Sequence, residues 1–559
     1  MGKGRRGVIC TLHPQADSYS ADPFTYKSMD KKKVLVADPI SEKGIDELRA
    51  VPELEVVVRI GIKPEELLEC AHEFEGIVVR SQTKITAAVF EKAVKLKAVG
   101  RAGVGVDNID VPAANKHGVI VMNTPAGNTI STAEHSFTLL MSLARSIPQA
   151  HASVIAGKWE RKHFEGVELN GKTLAVLGMG RIGAEVARRA MAFGMRVVCY
   201  DPYLAPARAT ALRVELMTTV EDAIRDADFI TVHMPMTAET KYLLNKERLA
   251  LCKRGVRIVN CARGGLVEEA ALVEALRSGH VGGAALDVYE TEPPAADHAL
   301  FSFPNVVLTP HLGASTYEAQ ENVGIEIARA IKDALVDGIV SNAVNMPSVD
   351  RKTLDAIGPY LRFAETLGRL AGQLAPKQPE VLRVNYSGQI GEGDTTLISR
   401  AILKGYLEVG SSEGAVNWVN APGVADRLGL RVTESRLATP ADFTELIEVT
   451  AGTGERRASV AGTFFGKSPR IVGINGRRIE AAPEGTLLIY ENRDQPGIVG
   501  TVGNILGQHN VNIASMSLSR DARDGVALTV LNLDHGAGPD VLAELTRHPA
   551  ILNARELRI

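Results

Sequence analysis

Three residues combine chemical type with telling position: Arg263 after the apolar run VNCA, Glu292 after LDVYET, and His311 after VVLTP. Each follows a short strand-like segment, and open α/β sheets bind ligands just beyond the carboxyl ends of their strands. The three types together suit oxidation of an alcohol by hydride transfer. The hydroxyl must lose a proton while the carbon-bound hydrogen leaves with two electrons, so a base titrating near neutrality is required, and His311 is the candidate. Glu292 would accept a hydrogen bond from the other imidazole nitrogen and fix its tautomer. Arg263 offers a planar fork to a carboxylate and can polarise the developing carbonyl. Taken singly, a structural His, a capping Arg and a solvated Glu are the plainer readings. Their occurrence in order, behind strands of one sheet, favours catalysis.

The hydride needs an acceptor, and the chain carries a binding pattern for one. Gly178-Met179-Gly180-Arg181-Ile182-Gly183 follows the run TLAVL, opens a helical pattern, and precedes VVCY ending at Asp201. Gly178 would make the tight turn, Gly180 would let a pyrophosphate approach the backbone, and Gly183 would let helix pack on strand. The anion then sits at a helix N-terminus. Asp201 is placed to accept from ribose hydroxyls and would repel a 2′-phosphate, so NAD is expected over NADP; Arg208 nearby could soften that preference. Asp287, in the LDV turn, is expected to face the nicotinamide carboxamide, and Thr83 to lie near the nicotinamide.

Two series of apolar runs alternate with helical patterns and position these residues. VLVAD (34–38), LEVVVR (54–59), GIVVR (76–80), LKAVGRAG (96–103) and VIVMN (119–123) form the first. TLAVLG (173–178), RVVCYD (196–201), FITVH (229–233), VRIVNCA (256–262), GGAALDV (282–288) and VVLTPH (306–311) form the second. Such alternation predicts βαβ units, hence an α/β fold with two doubly wound, Rossmann-like parallel sheets. Between them, residues 130–160 read as a long apolar helix, with Ser131 and Glu134 spaced as a capping box and Pro148 expected to kink or divide it. After a helix at 317–338, residues 341–480 mix helical and strand patterns in an α+β domain without a nucleotide fingerprint. Residues 487–559 alternate strand, helix, strand, strand, helix, strand, the order of a small ferredoxin-like sandwich.

At 559 residues the chain is too long for one core. A net charge of −3 leaves no overall basic field, so nucleic acid is not an expected partner. Five scattered cysteines (Cys10, Cys70, Cys199, Cys252, Cys261) lack the close pairs of a zinc site or disulfide framework and fit a reducing cytoplasm; no metal is expected. No run of about 18 apolar residues suggests a membrane span. Residues 1–32 are polar and aperiodic, a flexible extension in which a short organelle-targeting segment remains open.

NCARGG (260–265), ALDVYETEPP (285–294), TPHLGAST (309–316), GRAGVGVDNID (100–110) and MNTPAGNT (122–129) resemble the D-2-hydroxyacid dehydrogenase family, almost without a gap over 33–338. That resemblance implies Arg263, Glu292 and His311 as the catalytic set. It also implies interleaved domains: 33–128 with 311–338 binding substrate, and 129–310 binding NAD, where Arg181, Ile182, Cys261, Gly313 and Ala314 join the expected cofactor contacts. It assigns the segment of Arg80 and Ser81 to substrate contact, with Lys84 a weaker choice. Asn128 and the backbone at Val104 and Gly105 would hold the substrate carboxylate.

The surplus beyond 338 resembles that of the long members of the family that oxidise 3-phospho-D-glycerate to 3-phosphooxypyruvate on the way to L-serine. Residues 341–480 resemble their intervening domain and 487–559 an ACT domain, with Asp494 and Asn512 matching effector contacts for L-serine. Alternatives are a glyoxylate or hydroxypyruvate reductase, or an NAD-sensing corepressor-like binding protein; turnover and its preference for the phosphorylated acid discriminate them. Trp159, among Arg161, Lys162 and His163, reads either as a basic turn or, with Arg145, as an arm to a partner subunit of a homo-oligomer. Lys467, Arg470, Arg477 and Arg478 form a basic patch, either a solvated face or an anion site.

Overall fold

The computed structural model describes residues 31–348, 351–376, 379–411, 415–437, 443–454, 456–520, 522–523 and 525–559. The N-terminal extension through residue 30 lies outside them, and the first strand already begins at Lys32.

Strands β1 (Lys32–Val36), β2 (Leu54–Val58), β3 (Gly76–Val79), β4 (Ala98–Arg101) and β5 (Ile120–Met122) form a parallel sheet in the order β2-β1-β3-β4-β5. A seven-stranded parallel sheet follows: β6 (Thr173–Leu177), β7 (Arg196–Tyr200), β8 (Glu215–Leu216), β9 (Phe229–Val232), β10 (Val256–Asn260), β11 (Val281–Leu286) and β12 (Val306–Leu308). Its order is β12-β11-β10-β9-β6-β7-β8, so the direction of winding reverses at β6. The run ELM at β8 had given no strand signal; two residues at a sheet edge carry too short a pattern. Both sheets are covered on two faces, which is why β3 and β9 are buried at every position and read as unbroken apolar runs.

Two segments cross between the sheets, 123–128 and 312–316. Helix Tyr317–Lys332 returns to the first sheet, where Val323, Ile327 and Ile331 join Val34, Val36 and Met122 in one core. Helix Thr129–Arg145 instead packs on the second sheet through Leu139, Leu140 and Leu143. Its capping differs from the sequence expectation. Asn128 occupies the N-cap, Ser131 is buried within the first turn and donates back to the Asn128 carbonyl at 3.1 Å, and Glu134 pairs with Arg189 at 3.1 Å. The helix starts three residues earlier than the box required, so that Ser131 closes its first turn and Thr132 and Ala133 are already buried in it. Ser146, in the left-handed region at φ 49°, separates it from helix Ile147–Ile155, whose second residue is Pro148.

The remainder forms two sheets sharing a core. Strands β13 (Val381–Gly388), β14 (Arg431–Leu437), β15 (Glu445–Thr453), β16 (Arg456–Phe465), β17 (Ser468–Ile474) and β18 (Arg477–Ala481) order as β14-β13-β15-β16-β17-β18. Helices Arg351–Leu374 and Thr396–Glu408 cover one face. They approach closely at Gly368 and Gly405, where an added Cβ would meet a carbonyl oxygen of the other helix at 2.0 Å. Strands β19 (Thr486–Arg493), β20 (Ile513–Arg520), β21 (Val526–Leu533) and β22 (Ile551–Arg558) form the last sheet in the order β20-β21-β19-β22, with helices Ile498–Gln508 and Gly538–Arg547 on one side. Its other side, through Leu487, Ile489, Leu528, Val530 and Leu557, continues the core of the preceding sheet. The Gln373 side chain clamps this contact, donating to the Arg558 carbonyl at 2.7 Å and accepting its N–H at 2.9 Å.

Candidate active site

His311 leaves β12 in the left-handed region, φ 55°, which turns its ring out of the strand direction; its N–H is held by the Asp287 carbonyl at 2.9 Å. Nδ1 meets Glu292 Oε2 at 2.7 Å, and the ring is half-exposed. Glu292 Oε1 also accepts the Tyr289 N–H at 3.1 Å. Burial alone would raise the Glu292 carboxyl, but these bonds and the His311 charge outweigh it, and the group lies below the ordinary carboxylate range. An ionised Glu292 at Nδ1 leaves Nε2 as the ring's free acceptor in the neutral imidazole.

Arg263 lies beyond β10 on a loop shaped by Asn260, whose side chain donates to the Arg263 carbonyl at 2.8 Å and accepts the Ala262 N–H at 3.0 Å. Next to it, Gly264 packs so tightly on the loop after β11 that a Cβ would sit 1.7 Å from the Tyr289 oxygen. The Arg263 and Glu292 loops therefore share one wall. The guanidinium reaches across to the first domain, lying against Gly105, where a Cβ would meet it at 1.9 Å, and contacting Asp107 at 3.3 Å.

Arg80 ends β3 and is half-buried; Arg101 ends β4. Burial lowers Arg80, against the pull of Asp38, and burial with the charges of Arg263 and Arg80 brings Arg101 down to about 10. Arg101 thus lies within electrostatic reach of two further guanidiniums and of Asp38 and Asp107, while its own side chain donates to the Arg80 carbonyl at 3.0 Å and to the Gly105 carbonyl; the concentration of cations favours an anion. Arg101 and Asp38 were not singled out from sequence. Arg101 stood inside the quoted GRAGVGVDNID, and Asp38 follows β1 at the same strand-end location that marked the others. Asp38 is fully buried and accepts the N–H groups of Arg80, Gln82 and Thr83 and the Thr83 hydroxyl, at 2.5 to 3.2 Å. It shapes the loop carrying Arg80, exposed Ser81 and exposed Lys84, and holds the Thr83 hydroxyl inward. The Val104 carbonyl accepts from the Asn123 side chain and the Gly105 carbonyl from Arg101. Asn128 Oδ1 is buried without a partner at the edge of this cleft, an acceptor awaiting a donor.

The glycine-rich turn fits a dinucleotide. Gly178 has φ 99° and a Cβ there would strike the His233 carbonyl at 2.7 Å; at Gly183 it would strike the Gly178 oxygen at 2.0 Å. At Gly180 it would meet nothing within 4 Å, so that backbone faces open space at the start of helix Arg181–Ala192. Asp201 accepts from the N–H groups of Met179 at 2.8 Å and Tyr203 at 2.9 Å, bracing the turn. Arg181 is exposed, Ile182 half-buried and Arg208 exposed on the helix beginning at Pro206.

Asp287 sits beneath the surface rather than on it. Its side chain is 1% exposed and holds His135, Thr309 and the N–H groups of Leu312 and Gly313 at 2.6 to 3.1 Å. It anchors the turn presenting His311, Gly313 and Ala314. Cys261 is likewise buried, its thiol pushed up to about 12, so only its backbone can line the cleft.

The two expected effector residues do not meet in this chain. Asp494 pairs with Arg520 at 3.2 Å, at the end of β20; Asn512 pairs with Asp534 at 2.8 Å, at its beginning. Eight residues of extended strand, roughly 25 Å, separate them. In the basic patch, Arg470 lies 3.7 Å from Glu480 and Arg477 donates to the Val526 carbonyl at 3.5 Å. Trp159 is 80% exposed beside helix Ile147–Ile155, which buries no residue, and Arg145 borders an apolar groove with Phe137, Met141 and Phe193.

Comparison with known proteins follows the same divisions. The model for the NAD binding domain of D-isomer specific 2-hydroxyacid dehydrogenases matches residues 137–313, that for the D-3-phosphoglycerate dehydrogenase intervening domain matches 356–475, and that for the ACT domain matches 486–550. A D-3-phosphoglycerate dehydrogenase of Archaeoglobus fulgidus is 44% identical over 525 residues, 93% of this chain and 99% of its own. One from Bacillus subtilis is 44% identical over 527 residues, 94% and 99% of the two chains. Among solved structures, a Thermus thermophilus protein aligns at TM-score 0.52 and 38% identity over 56% of this chain and 99% of its own. A glyoxylate reductase aligns at 0.52 and 29%, over 56% and 98%.

Proposed function

From the premise that this chain belongs to the D-3-phosphoglycerate dehydrogenases of the D-2-hydroxyacid dehydrogenase family, we propose that its cleft oxidises 3-phospho-D-glycerate at C2 through Arg263, Glu292 and His311. The chain is an NAD-dependent oxidoreductase, and its product, 3-phosphooxypyruvate, opens the route to L-serine. The observation that carries the site assignment is the 2.7 Å contact of His311 Nδ1 with an ionised Glu292.

NAD, held at Gly178, Gly180, Gly183 and Asp201, supplies the hydride acceptor. His311 Nε2 takes the C2 hydroxyl proton as the C2–H bond breaks, and Glu292 stabilises the imidazolium that results. Arg263 binds the carboxylate and draws electron density from the forming carbonyl oxygen. Arg80 and Arg101 supply the cations that a phosphate at C3 requires, which favours the phosphorylated acid over glycerate. Asn128, beside Val104 and Gly105, would hold the substrate carboxylate through its amide N–H groups. The direct test is NADH formation from NAD and 3-phosphoglycerate by the wild type and by His311→Ala; undiminished turnover in the variant defeats the assignment.

The ACT region is read as a sensor for L-serine that is complete only between two chains. Strand β20 is an edge strand with Met516 and Leu518 exposed, 46% and 41%. Antiparallel pairing of two copies along it would bring Asp494 of one toward Asn512 of the other. The exposed helix Ile147–Ile155 and Trp159 supply a second contact between subunits. Four buried thiols suit a reducing cytoplasm. Inhibition by serine that persists in a chain locked as a monomer would overturn the shared site.

A further inference from the structure

Residues 342–345, where the chain leaves the catalytic half, run back along the free edge of β5. The Asn123 N–H donates to the Asn342 carbonyl at 3.2 Å and the Val344 N–H to the Val121 carbonyl at 2.8 Å, while Met122 and Ala343 form an antiparallel bridge. The Val121 N–H donates to Asn345 Oδ1 at 3.0 Å. The start of the C-terminal extension thus adds itself to the first sheet.

Asn342 occupies the left-handed region, φ 55°, which Asn tolerates better than most side chains. Its Nδ2 donates to Glu326 Oε1 at 2.9 Å. Glu326, half-buried on helix Tyr317–Lys332, lies beside Gly127 and within electrostatic reach of Arg181. A cavity of about 430 Å³ opens here, lined by Gly127, Asn322, Glu326, Arg329, Ser341 and Asn342. Asn123 continues in the other direction, its side chain donating to the Val104 carbonyl. The crossover at Gly127 has no slack, since a Cβ would lie 2.6 Å from the Val323 side chain. One residue of the extension therefore holds Asn123, and through its side chain the Val104 loop, by its carbonyl, and by its amide a carboxylate within electrostatic reach of the cofactor helix.

We propose that Asn342 is a positioning residue for the dehydrogenase reaction, the junction through which the C-terminal extension sets the substrate loop at Val104 and the cofactor helix at Arg181 together. It touches neither ligand and acts through Asn123 and Glu326. This rests on reading the cleft as the site of NAD and 3-phosphoglycerate.

The test uses the full chain with Asn342→Asp, which is nearly isosteric but sets a carboxylate against Glu326, and Asn342→Gly, which keeps the left-handed backbone and its carbonyl while removing the amide. Asn342→Asp is expected to raise KM for NAD and for 3-phosphoglycerate by about fivefold or more, with kcat nearly unchanged and NADH binding weakened alike in a fluorescence titration. Asn342→Gly moves both in the same direction by less. Adding Glu326→Gln to Asn342→Asp restores an amide-to-carboxylate bond with the roles exchanged and brings both KM values back to about twice wild type or less. A purely steric role would shift melting temperature, leave KM flat, and favour Asp over Gly. Unchanged KM in either single variant, or no recovery in a double variant that melts normally, overturns the proposal. Should Asn342→Asp not fold, unchanged NADH affinity and KM in Asn342→Gly overturn it alone. Wild-type chain that binds NADH but does not oxidise 3-phosphoglycerate would instead sink the substrate reading.

Discussion

The cleft between the two parallel sheets and the C-terminal sandwich each carry polar residues singled out for ligand binding, but their geometry differs. In the cleft, His311 and Glu292 touch at 2.7 Å and Arg263 spans to the opposite domain, all within one chain. In the sandwich, Asp494 and Asn512 stand at opposite ends of β20, each bonded to a neighbour. The proposed chemistry is assembled in advance within one chain, whereas the proposed sensing would need a contact between copies, where it could be coupled to a change of assembly.

The sharpest challenge to this contrast is His311→Ala, expected to lower kcat by about three to four orders of magnitude with NADH affinity retained. Glu292→Gln keeps the shape of the pair but loses its charge, and kcat should fall by about two orders of magnitude. Arg80→Ala removes one cation facing the phosphate, so kcat/KM for 3-phosphoglycerate should drop roughly tenfold to a hundredfold, about 2 kcal/mol, while the rate with glycerate barely changes. An equal loss on both acids would place Arg80 at the carboxylate instead. In the sandwich, Asp494→Ala and Asn512→Ala should each displace the serine inhibition curve to about tenfold higher concentration. Mixing the two variants should recover part of the response, because some pairings keep one intact site; no recovery would mean that both residues serve within a single chain.

The smallest effect concerns acid stability. Glu292 is held below its ordinary value of 4.5, so the folded state binds that proton more weakly than the unfolded one. Its stabilisation is present above that ordinary value and is lost as pH falls through the depressed one. The melting temperature of Glu292→Gln should therefore decline less steeply than wild type on acidification below about pH 4.5, as seen in a series of thermal melts.

The residues proposed as catalytic were legible because each follows a buried strand, and the fixed direction of a parallel strand places its carboxyl end at the cleft. Gly178, Gly180 and Gly183 were legible for a steric reason that their surroundings bear out: two leave no room for a Cβ and the third faces open space. Arg101 escaped because its significance lies in Arg80 and Arg263 beside it, and no spacing within one segment reports that. The depth of Asp287 and its bonds to His135, Thr309 and the turn after β12 were likewise invisible in the sequence, where only its strand-end location could be seen. The capping box failed because Asn128, three residues upstream, takes the N-cap and Ser131 bonds back to its carbonyl, an alternative that the spacing of Ser131 and Glu134 does not report.

By itself the sequence determined the alternation of strands and helices, the glycine turn and the placement of Arg263, Glu292 and His311 beyond strand ends, because periodicity and strand direction are local properties of the chain. Tertiary structure alone decided which cations share the anion site, which carboxylate is buried beneath the turn, and that Asp494 and Asn512 lie a strand's length apart. Those are distances between segments far apart in sequence, fixed by how the cores of separate layers pack.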